Sequence, residues 1–227
     1  MIVRIPQLLD AAGLGALRRL LEAHDSPWVD GRATAGYQGA PVKRNRQIAE
    51  GSPLARQCGD LVLAALERSA LFISAALPAR VYPPLFNRYA GGEAFGDHVD
   101  GAIRLLGGGE KLRTDVSATL FLCAPEEYDG GELIIRDTYG EHAVKLPAGD
   151  LVLYSAHSVH RVEPVTRGVR LASFLWVQSL VADDAQRTLL FEMDGAIQRL
   201  NASHADEQAR RSLVGCYHNL LRHWSHP

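Results

Sequence analysis

The sequence predicts an α+β fold in which a β sandwich or jelly roll is preceded and followed by helices. Between about Pro78 and Leu180, short β-rich runs alternate with glycine-rich turns, and no helical pattern separates them. Apolar residues recur at helical spacing before this region and again after Val181. Many short strands without intervening helices favour a sandwich or jelly roll over a parallel α/β sheet.

The N-terminal third predicts two amphipathic helices. Asp10 is typical of a helix N-cap, and Leu14 and Leu17 follow on one face. Pro53 begins a second helical pattern that continues to Leu66. Residues 28–47 predict loops and short strands. The predicted strands of the central region are 81–89, 116–123, 132–136, 142–146, 150–155 and 169–180.

Two further amphipathic helices are predicted after Val181, with apolar stripes within 189–200 and 213–221. Helices in this position pack on the β core or on a partner subunit, and the leucine-rich stripe suggests a homo-oligomer. We therefore divide the chain into an N-terminal segment (1–77), a β core (78–180) and a C-terminal helical extension (181–227).

Composition excludes several classes of protein. The 227 residues carry 24 Lys and Arg against 26 Asp and Glu, so the net charge of −2 gives no electrostatic case for nucleic-acid binding. Three widely spaced cysteines argue against a disulfide framework or a cysteine zinc site. No apolar stretch has the length of a signal peptide or of a membrane span. We expect a cytoplasmic protein that neither spans a membrane nor binds nucleic acid.

The tripeptide His-x-Asp occurs twice, at 98–100 and at 204–206. On a strand, residues i and i+2 project from the same face, so both side chains can bind one metal ion. His98-Val99-Asp100 follows a β-rich run and a Gly-Gly turn, which suits this geometry. His204-Ala205-Asp206 lies in the helical tail, where positions two apart diverge by about 200° around the axis. We interpret the second tripeptide as solvated helix surface.

A third metal ligand must come from another strand, and His142, His157 and His160 are the candidates. Arg167 and Arg170 each lie ten positions beyond one of these histidines, so the spacing does not choose between His157 and His160.

A guanidinium in a cavity wall needs an anionic partner, and its planar fork suits a carboxylate. Arg170 is therefore a candidate for binding a carboxylate ligand. The alternative is that Arg170 pairs with a surface acid such as Glu163.

The pattern His98-x-Asp100, His160 and Gly168-x-Arg170 resembles the iron(II)/2-oxoglutarate dioxygenases of the prolyl 4-hydroxylase superfamily. Longer motifs are similar to the bacterial PKHD-type hydroxylases, the PiuC-like iron-uptake factors. These motifs are Phe95-Gly-Asp-His-Val-Asp-Gly101, Arg113-Thr-Asp-Val-Ser-Ala-Thr-Leu-Phe-Leu122, Tyr128-Asp-Gly-Gly-Glu132 and Pro147-Ala-Gly-Asp-Leu-Val-Leu-Tyr154. The resemblance extends over the whole chain and implies a double-stranded β-helix, or jelly-roll, core.

The resemblance implies that His98, Asp100 and His160 are the iron(II) ligands, with His157 outside the set. It places Arg170 where relatives bind the 5-carboxylate of 2-oxoglutarate, although much of the superfamily has lysine there. Tyr89 matches a tyrosine that contacts the cofactor in relatives, and its alternative is a core aromatic residue.

The implied reaction couples oxidative decarboxylation of 2-oxoglutarate by O2, giving succinate and CO2, with hydroxylation of a substrate. L-ascorbate would reduce iron that oxidises without turnover. The family permits a peptidyl proline or lysine side chain, or a siderophore-like small molecule linked to iron acquisition. The basic run Lys43-Arg44-Asn45-Arg46 does not decide between them, since it is either a solvated face or part of the pocket entrance.

Two alternative functions use the same three ligands. One is a zinc hydrolase, for which the sequence shows no evident general base and which gives Arg170 no role. The other is a cupin-like iron- or ligand-binding sensor without turnover.

Overall fold

The computed structural model describes residues 1–37, 39–203 and 206–226. The helices are α1 (Ala11–Leu21), α2 (Pro53–Glu67), α3 (Ala70–Ala76), α4 (Asp184–Ser203) and α5 (Glu207–Trp224). The strands are β1 (Ile2–Ile5), β2 (Trp28–Asp30), β3 (Lys43–Arg44), β4 (Arg46–Ile48), β5 (Pro78–Val81), β6 (Leu85–Ala90), β7 (Ala94–His98), β8 (Ile103–Leu105), β9 (Lys111–Arg113), β10 (Val116–Phe121), β11 (Tyr128–Gly130), β12 (Leu133–Asp137), β13 (Gly140–Val144), β14 (Leu151–Ser155), β15 (His160–Val162) and β16 (Val165–Ser179).

Two antiparallel sheets form the centre of the molecule. Within the described residues, the larger sheet has nine strands in the order β1-β14-β10-β16-β6-β4-β2, with β5 and β11 also paired to β16. The smaller sheet contains five of the described strands, in the order β13-β12-β15-β7-β3. A separate hairpin joins β8 to β9. This arrangement confirms the predicted α+β fold with a jelly-roll core.

Strand β10 shows why the larger sheet is buried on both faces. Val116, Ala118 and Leu120 belong to the apolar cluster that also contains buried residues of α1, α2 and α3. The intervening Ser117 and Thr119 line a cavity on the opposite face. Alternation along one strand therefore separates a helix-covered core from the cavity between the sheets.

The first two helices begin where the sequence predicts. The Asp10 carboxylate accepts a hydrogen bond from the amide of Gly13 at 2.8 Å and so caps α1. The Ser52 hydroxyl caps α2, whose first residue is Pro53. The sequence did not predict β1, which pairs with β14, or the β8–β9 hairpin.

The C-terminal helices pack on the edge of the core. Leu190 of α4 is buried with Leu77 and Val181. Residues of α5 pack partly against this cluster, namely Tyr217, Leu220, Leu221 and Trp224. Leu189, in the predicted apolar stripe, is 56% exposed. Among the described residues, no helix is both long and apolar enough to cross a membrane. The tripeptide at 204–206 includes His204 and Ala205, which lie outside the described residues.

Candidate active site

Three side chains meet at one end of the space between the two sheets. His98 ends β7, Asp100 lies two residues farther along, and His160 begins β15. Their candidate ligand atoms all lie within 4.8 Å of one another. Strands β7 and β15 pair with His98 opposite His160, and this pairing brings together residues sixty-odd positions apart. The spatial arrangement expected of the predicted ligand set is present.

Both imidazoles are oriented by backbone carbonyl groups. Nδ1 of His98 lies 2.8 Å from the carbonyl oxygen of Gly96, and Nδ1 of His160 lies 3.0 Å from that of Ser158. Because a carbonyl oxygen only accepts hydrogen bonds, each Nδ1 carries a proton, and in the neutral imidazole Nε2 then keeps its lone pair. Burial, together with neighbouring His160, lowers the pKa of His98 to about 4. Neutral pH therefore leaves this imidazole uncharged and able to bind a metal.

Asp100 lies just beyond the strand rather than on it, yet the inward and outward alternation continues. Val99 is 51% exposed, whereas the Asp100 side chain is 10% exposed. One carboxylate oxygen of Asp100, Oδ2, accepts a 2.5 Å hydrogen bond from Ser117 and lies 3.7 Å from Nε2 of His160. The same-face geometry predicted for the His-x-Asp tripeptide thus persists past the end of β7.

The other histidine candidates lie elsewhere. His157 is exposed, in the turn between β14 and β15. His142 is also exposed, and its Nε2 lies 2.8 Å from a carboxylate oxygen of Asp137. Neither residue belongs to the group of potential metal ligands found among the described residues.

Arg170 is a buried cation to which the described residues offer no acidic partner. Its side chain is 1% exposed, and its guanidinium carbon lies 5.4 Å from the ring centres of Tyr89 and Phe121. In the described part of the chain, Nε and Nη1 of Arg170 have no hydrogen-bond partner. Burying a charged group without a counter-charge costs several kcal/mol, so this site is suited to an anion supplied from outside the chain.

Arg170 and Arg167, the two candidates for binding a carboxylate ligand, differ in burial and in their partners. Glu163 pairs at 2.7 Å with Arg161, so the interpretation of Arg170 as the partner of Glu163 is wrong. Arg167 is exposed and forms a 2.7 Å ion pair with Asp129. Only Arg170 of the two arginines lines the cavity.

Tyr89 is both a core residue and a cavity residue. It is 1% exposed, belongs to the main apolar cluster, and pairs in register with Arg170 across β6 and β16. Burial raises the pKa of its phenol to about 12, so the hydroxyl keeps its proton at neutral pH.

These side chains share one cavity of about 310 Å³ between the sheets. The loop before β3 and the hairpin residue Arg104 border it on the outer side. Lys43 also lines the cavity and is 4% exposed, whereas Arg44 and Arg46 are exposed. The interpretation of the 43–46 run as a solvated face is therefore wrong for Lys43. Side chains alternate between the two faces of a strand, and this alternation could have indicated that Lys43 is buried. All four residues of the run are polar, however, so no hydrophobic pattern marks the buried positions.

Comparison with known proteins decides the family. The profile of the 2OG-Fe(II) oxygenase superfamily matches residues 84–178, and that of the PKHD-type hydroxylase C-terminal domain matches residues 184–226. Over 225 residues the chain is 69% identical to a PKHD-type hydroxylase of Burkholderia ambifaria, with 99% of each chain covered. The chain belongs to the PKHD-type hydroxylases.

Other PKHD-type hydroxylases are similar over the same length. Identity is 64% to a protein of Cupriavidus metallidurans and 58% to one of Stenotrophomonas maltophilia, each with 99% coverage of both chains. The resemblance inferred from the motifs is confirmed. This PKHD-type hydroxylase is thus an oxidoreductase of the 2-oxoglutarate-dependent dioxygenase class, for which iron(II), 2-oxoglutarate and O2 are the family's cofactor and cosubstrates.

Solved structures share the fold. The carbocyclase SnoK from nogalamycin biosynthesis has a TM-score of 0.56 at 19% identity, covering 79% of this chain and 80% of that one. A viral collagen prolyl hydroxylase from Paramecium Bursaria Chlorella virus-1 has a TM-score of 0.54 at 14% identity, covering 78% and 96%. At such identities the likeness concerns the jelly-roll fold alone.

The residues of this PKHD-type hydroxylase fit the family's cofactors. Two imidazole nitrogens and one carboxylate oxygen match the donor set of non-haem iron(II) oxygenases. The unpartnered nitrogens of Arg170 fit the distal carboxylate of 2-oxoglutarate. A zinc hydrolase or a non-catalytic sensor is not favoured by the family comparison.

Proposed function

We propose that His98, Asp100 and His160 bind iron(II) in this dioxygenase and that Arg170 binds the 5-carboxylate of 2-oxoglutarate. The observation that carries the proposal is the buried guanidinium of Arg170, which has no anionic partner among residues 1–37, 39–203 and 206–226 and shares a cavity with the three clustered donors. A carboxylate in a bidentate pair would satisfy the unpartnered nitrogens.

When bound, iron(II) and 2-oxoglutarate supply the oxidising chemistry, in which O2 decarboxylates the cosubstrate to succinate and CO2 as the substrate is hydroxylated. The chain positions the reacting groups. The carbonyl groups of Gly96 and Ser158 hold the two imidazoles with Nε2 free, and Ser117 holds the Asp100 carboxylate. Fixed donors lower the cost of assembling the site at each turnover.

Tyr89 acts beside Arg170 in this proposal. Its protonated hydroxyl contacts 2-oxoglutarate, and its ring packs beneath the guanidinium. The cross-strand pairing of the two residues in β6 and β16 supports this role. Replacing Tyr89 with phenylalanine keeps the packing and removes only the hydroxyl.

We extend the proposal to the substrate and the physiological role. The substrate is a peptidyl side chain or a siderophore-like small molecule, and the reaction contributes to iron uptake in the cytoplasm. L-ascorbate keeps the iron reduced.

The C-terminal helices join two copies of the chain in this proposal, which rests on the 56% exposed Leu189 of α4. Leu189→Glu should then lower the mass measured by light scattering. An unchanged mass would remove the proposed contact.

Anaerobic titration tests the reaction class. Addition of iron(II) and then 2-oxoglutarate should produce a weak visible charge-transfer band, and O2 should then release succinate. Stoichiometric metal binding without any 2-oxoglutarate oxidation, even uncoupled from substrate, would instead support a sensor. Hydrolysis by the zinc-loaded protein without succinate release would support the zinc hydrolase.

A further inference from the structure

The cavity carries more positive than negative charge. Among the described residues that line it, Lys43, Arg104 and Arg170 are cationic, whereas Asp100 is the single carboxylate. The two lining histidines are uncharged when they present Nε2 to a metal. With neutral histidines, the lining side chains therefore carry an excess of two positive charges.

Loading the site does not remove this excess. Iron(II) adds two positive charges, and the two carboxylates of 2-oxoglutarate add two negative charges. If Arg170 binds one of those carboxylates, Lys43 and Arg104 still have no negatively charged ligand in the cavity. Glu50 pairs with Arg104 at 3.8 Å but does not line the cavity, so a negative charge that contacts both cations inside the cavity must come with another molecule.

Lys43 is held in the cavity wall by neutral contacts. Its ammonium group donates a 3.2 Å hydrogen bond to the Thr34 hydroxyl and lies 5.0 Å from the Phe95 ring centre and 5.7 Å from that of Phe174. The part of the chain that the structure describes provides no ion pair for it. Burial and neighbouring Arg104 lower the pKa of Lys43 to about 8, so most molecules carry the charge at neutral pH.

Arg104 contacts two aromatic rings that also contact each other. Its guanidinium carbon is 4.9 Å from the Tyr82 ring centre and 4.6 Å from the Trp176 ring centre. Within the described ranges, its Nε is buried without a hydrogen-bond partner, and its ion pair with Glu50 is long, at 3.8 Å. Stacking fixes the plane of the guanidinium and leaves donor capacity unused.

Two aromatic side chains of β16 line the same cavity as the cations and the candidate metal ligands. Phe174 and Trp176 pack edge to face at 5.6 Å, and both line the cavity. Trp176 pairs in register with Ser117, whose hydroxyl binds Asp100. A planar or apolar group held against these rings would lie close to the metal ligands.

We propose that Lys43 and Arg104 together bind an anionic oxygen group of the hydroxylation substrate, such as a carboxylate or phenolate, while its planar or apolar part packs on Phe174 and Trp176. This inference rests on the proposed function of the same cavity and names the chemical class of its substrate. It excludes a cationic lysine side chain as the group next to the iron, because two positive charges would repel it.

Matched aromatic probes test the inference. Protein loaded anaerobically with iron(II) and saturating 2-oxoglutarate is titrated at pH 7 with benzoate, benzamide or benzylamine, and saturation-transfer NMR measures each dissociation constant. Benzoate should bind at least tenfold more tightly than benzylamine, with benzamide between them. Enhanced relaxation of the benzoate ring protons by iron(II), absent with zinc(II), should place the probe near the metal.

Variants identify the cations responsible. Lys43→Met and Arg104→Gln should each weaken benzoate binding roughly tenfold, since each removes a charge-assisted hydrogen bond, and should leave 2-oxoglutarate affinity within twofold. Arg44→Gln is the matched control, because it removes the same charge from an exposed position in the same basic run. Arg44→Gln should change benzoate affinity less than twofold.

The outcomes separate this inference from the proposed function. Equal affinities for benzoate and benzylamine, or equal losses in Lys43→Met and Arg44→Gln, would overturn the anion subsite even if succinate is formed. If the protein binds neither iron nor 2-oxoglutarate, the proposed function fails. The benzoate preference and its loss in Lys43→Met remain measurable on that protein without metal, and their absence would overturn the subsite as well.

Discussion

The Ser117 hydroxyl donates a 2.5 Å hydrogen bond to Oδ2 of Asp100 and so links the larger sheet to the candidate metal site. Ser117 is 2% exposed and is the second residue of β10, a strand paired on both sides. Asp100, by contrast, lies beyond the end of β7. Strand β10 of the larger sheet thereby positions the carboxylate of Asp100, which β7 itself does not hold in place.

Ser117→Ala should weaken iron(II) binding by about 10- to 100-fold, the range seen when a partner of a metal ligand is removed. Metal titration followed by equilibrium dialysis measures the change. Ser173→Ala is the control, because Ser173 is fully buried in β16 and the described residues offer its hydroxyl no partner. Equal affinities in both variants and the wild type would show that Ser117 does not position Asp100.

His160→Ala should abolish iron(II) binding, whereas His157→Ala should retain it. His160 is buried beside Asp100, and His157 is exposed in the preceding turn. Metal content after anaerobic loading and desalting distinguishes the two variants. Loss of iron in His157→Ala alone would reverse the ligand assignment.

Arg170→Gln should raise the dissociation constant for 2-oxoglutarate by roughly 10- to 100-fold, because a charge-assisted hydrogen bond contributes about 1.5–3 kcal/mol. The anaerobic charge-transfer band measures this affinity. Arg167→Gln removes an equal charge from an exposed residue that is already paired with Asp129. The assignment of Arg170 fails if the titrations of Arg170→Gln and wild type coincide.

Gly131→Ala should also weaken 2-oxoglutarate binding, because the added methyl would press on Arg170. A Cβ at Gly131, where φ is +67°, would lie 3.0 Å from Cδ of Arg170 and 2.9 Å from Cγ2 of Val165. The control is Gly91→Ala, which has a similar φ of +57° but open space around it. Both variants should lose about 1 kcal/mol of stability from backbone strain, and only Gly131→Ala should lose 2-oxoglutarate affinity as well.

The stability contributed by Lys43 should depend on pH. Burial first, and Arg104 second, lower the pKa of Lys43 from 10.5 to about 8, against smaller opposing effects of Asp100 and Asp30. Between these pH values the unfolded chain binds more protons at this position, so the free energy of unfolding rises as pH increases from about 8 to 10.5. Below about pH 8 Lys43 is charged in the folded protein, so burying its ammonium group lowers the free energy of unfolding by the full amount.

The difference in unfolding free energy between wild type and Lys43→Met isolates this effect, since methionine does not titrate. The unfolding free energy of wild type should rise by about 2–3 kcal/mol relative to that of Lys43→Met between pH 7.5 and 10.5. Urea denaturation across that interval measures the shift. A pH-independent difference would mean that the ammonium group of Lys43 is solvated.

Local patterns predicted part of the site. The i, i+2 spacing of His98 and Asp100 predicted a shared face, and the alternation continues to Asp100 even though β7 ends before it. The spacing could not choose His160 over His157, since each has an arginine ten residues later. The pairing of β15 with β7 places His160 opposite His98, through contacts between segments that are distant in sequence.

The sequence left the position of Lys43 open and gave no indication of a role for Arg104. From the sequence, Lys43 is part of a basic run that is typical of a solvated face. In the structure, β3 pairs it with Phe95 of β7. Arg104 lies in a hairpin that no pattern predicted, and its stacking on Trp176 depends on how that hairpin meets β16. Burial of a charged residue is decided by neighbours far along the chain, which local polarity does not report.

The sequence by itself determined the succession of helical, β-rich and helical regions, the α+β class and the types of donor available, because periodicity and turn residues act over a few positions. The tertiary structure decided which donors converge, which arginine is buried without an acid, and which lysine faces the cavity. Those properties arise from strand register, and register joins residues whose separation in sequence carries no information about their distance in space.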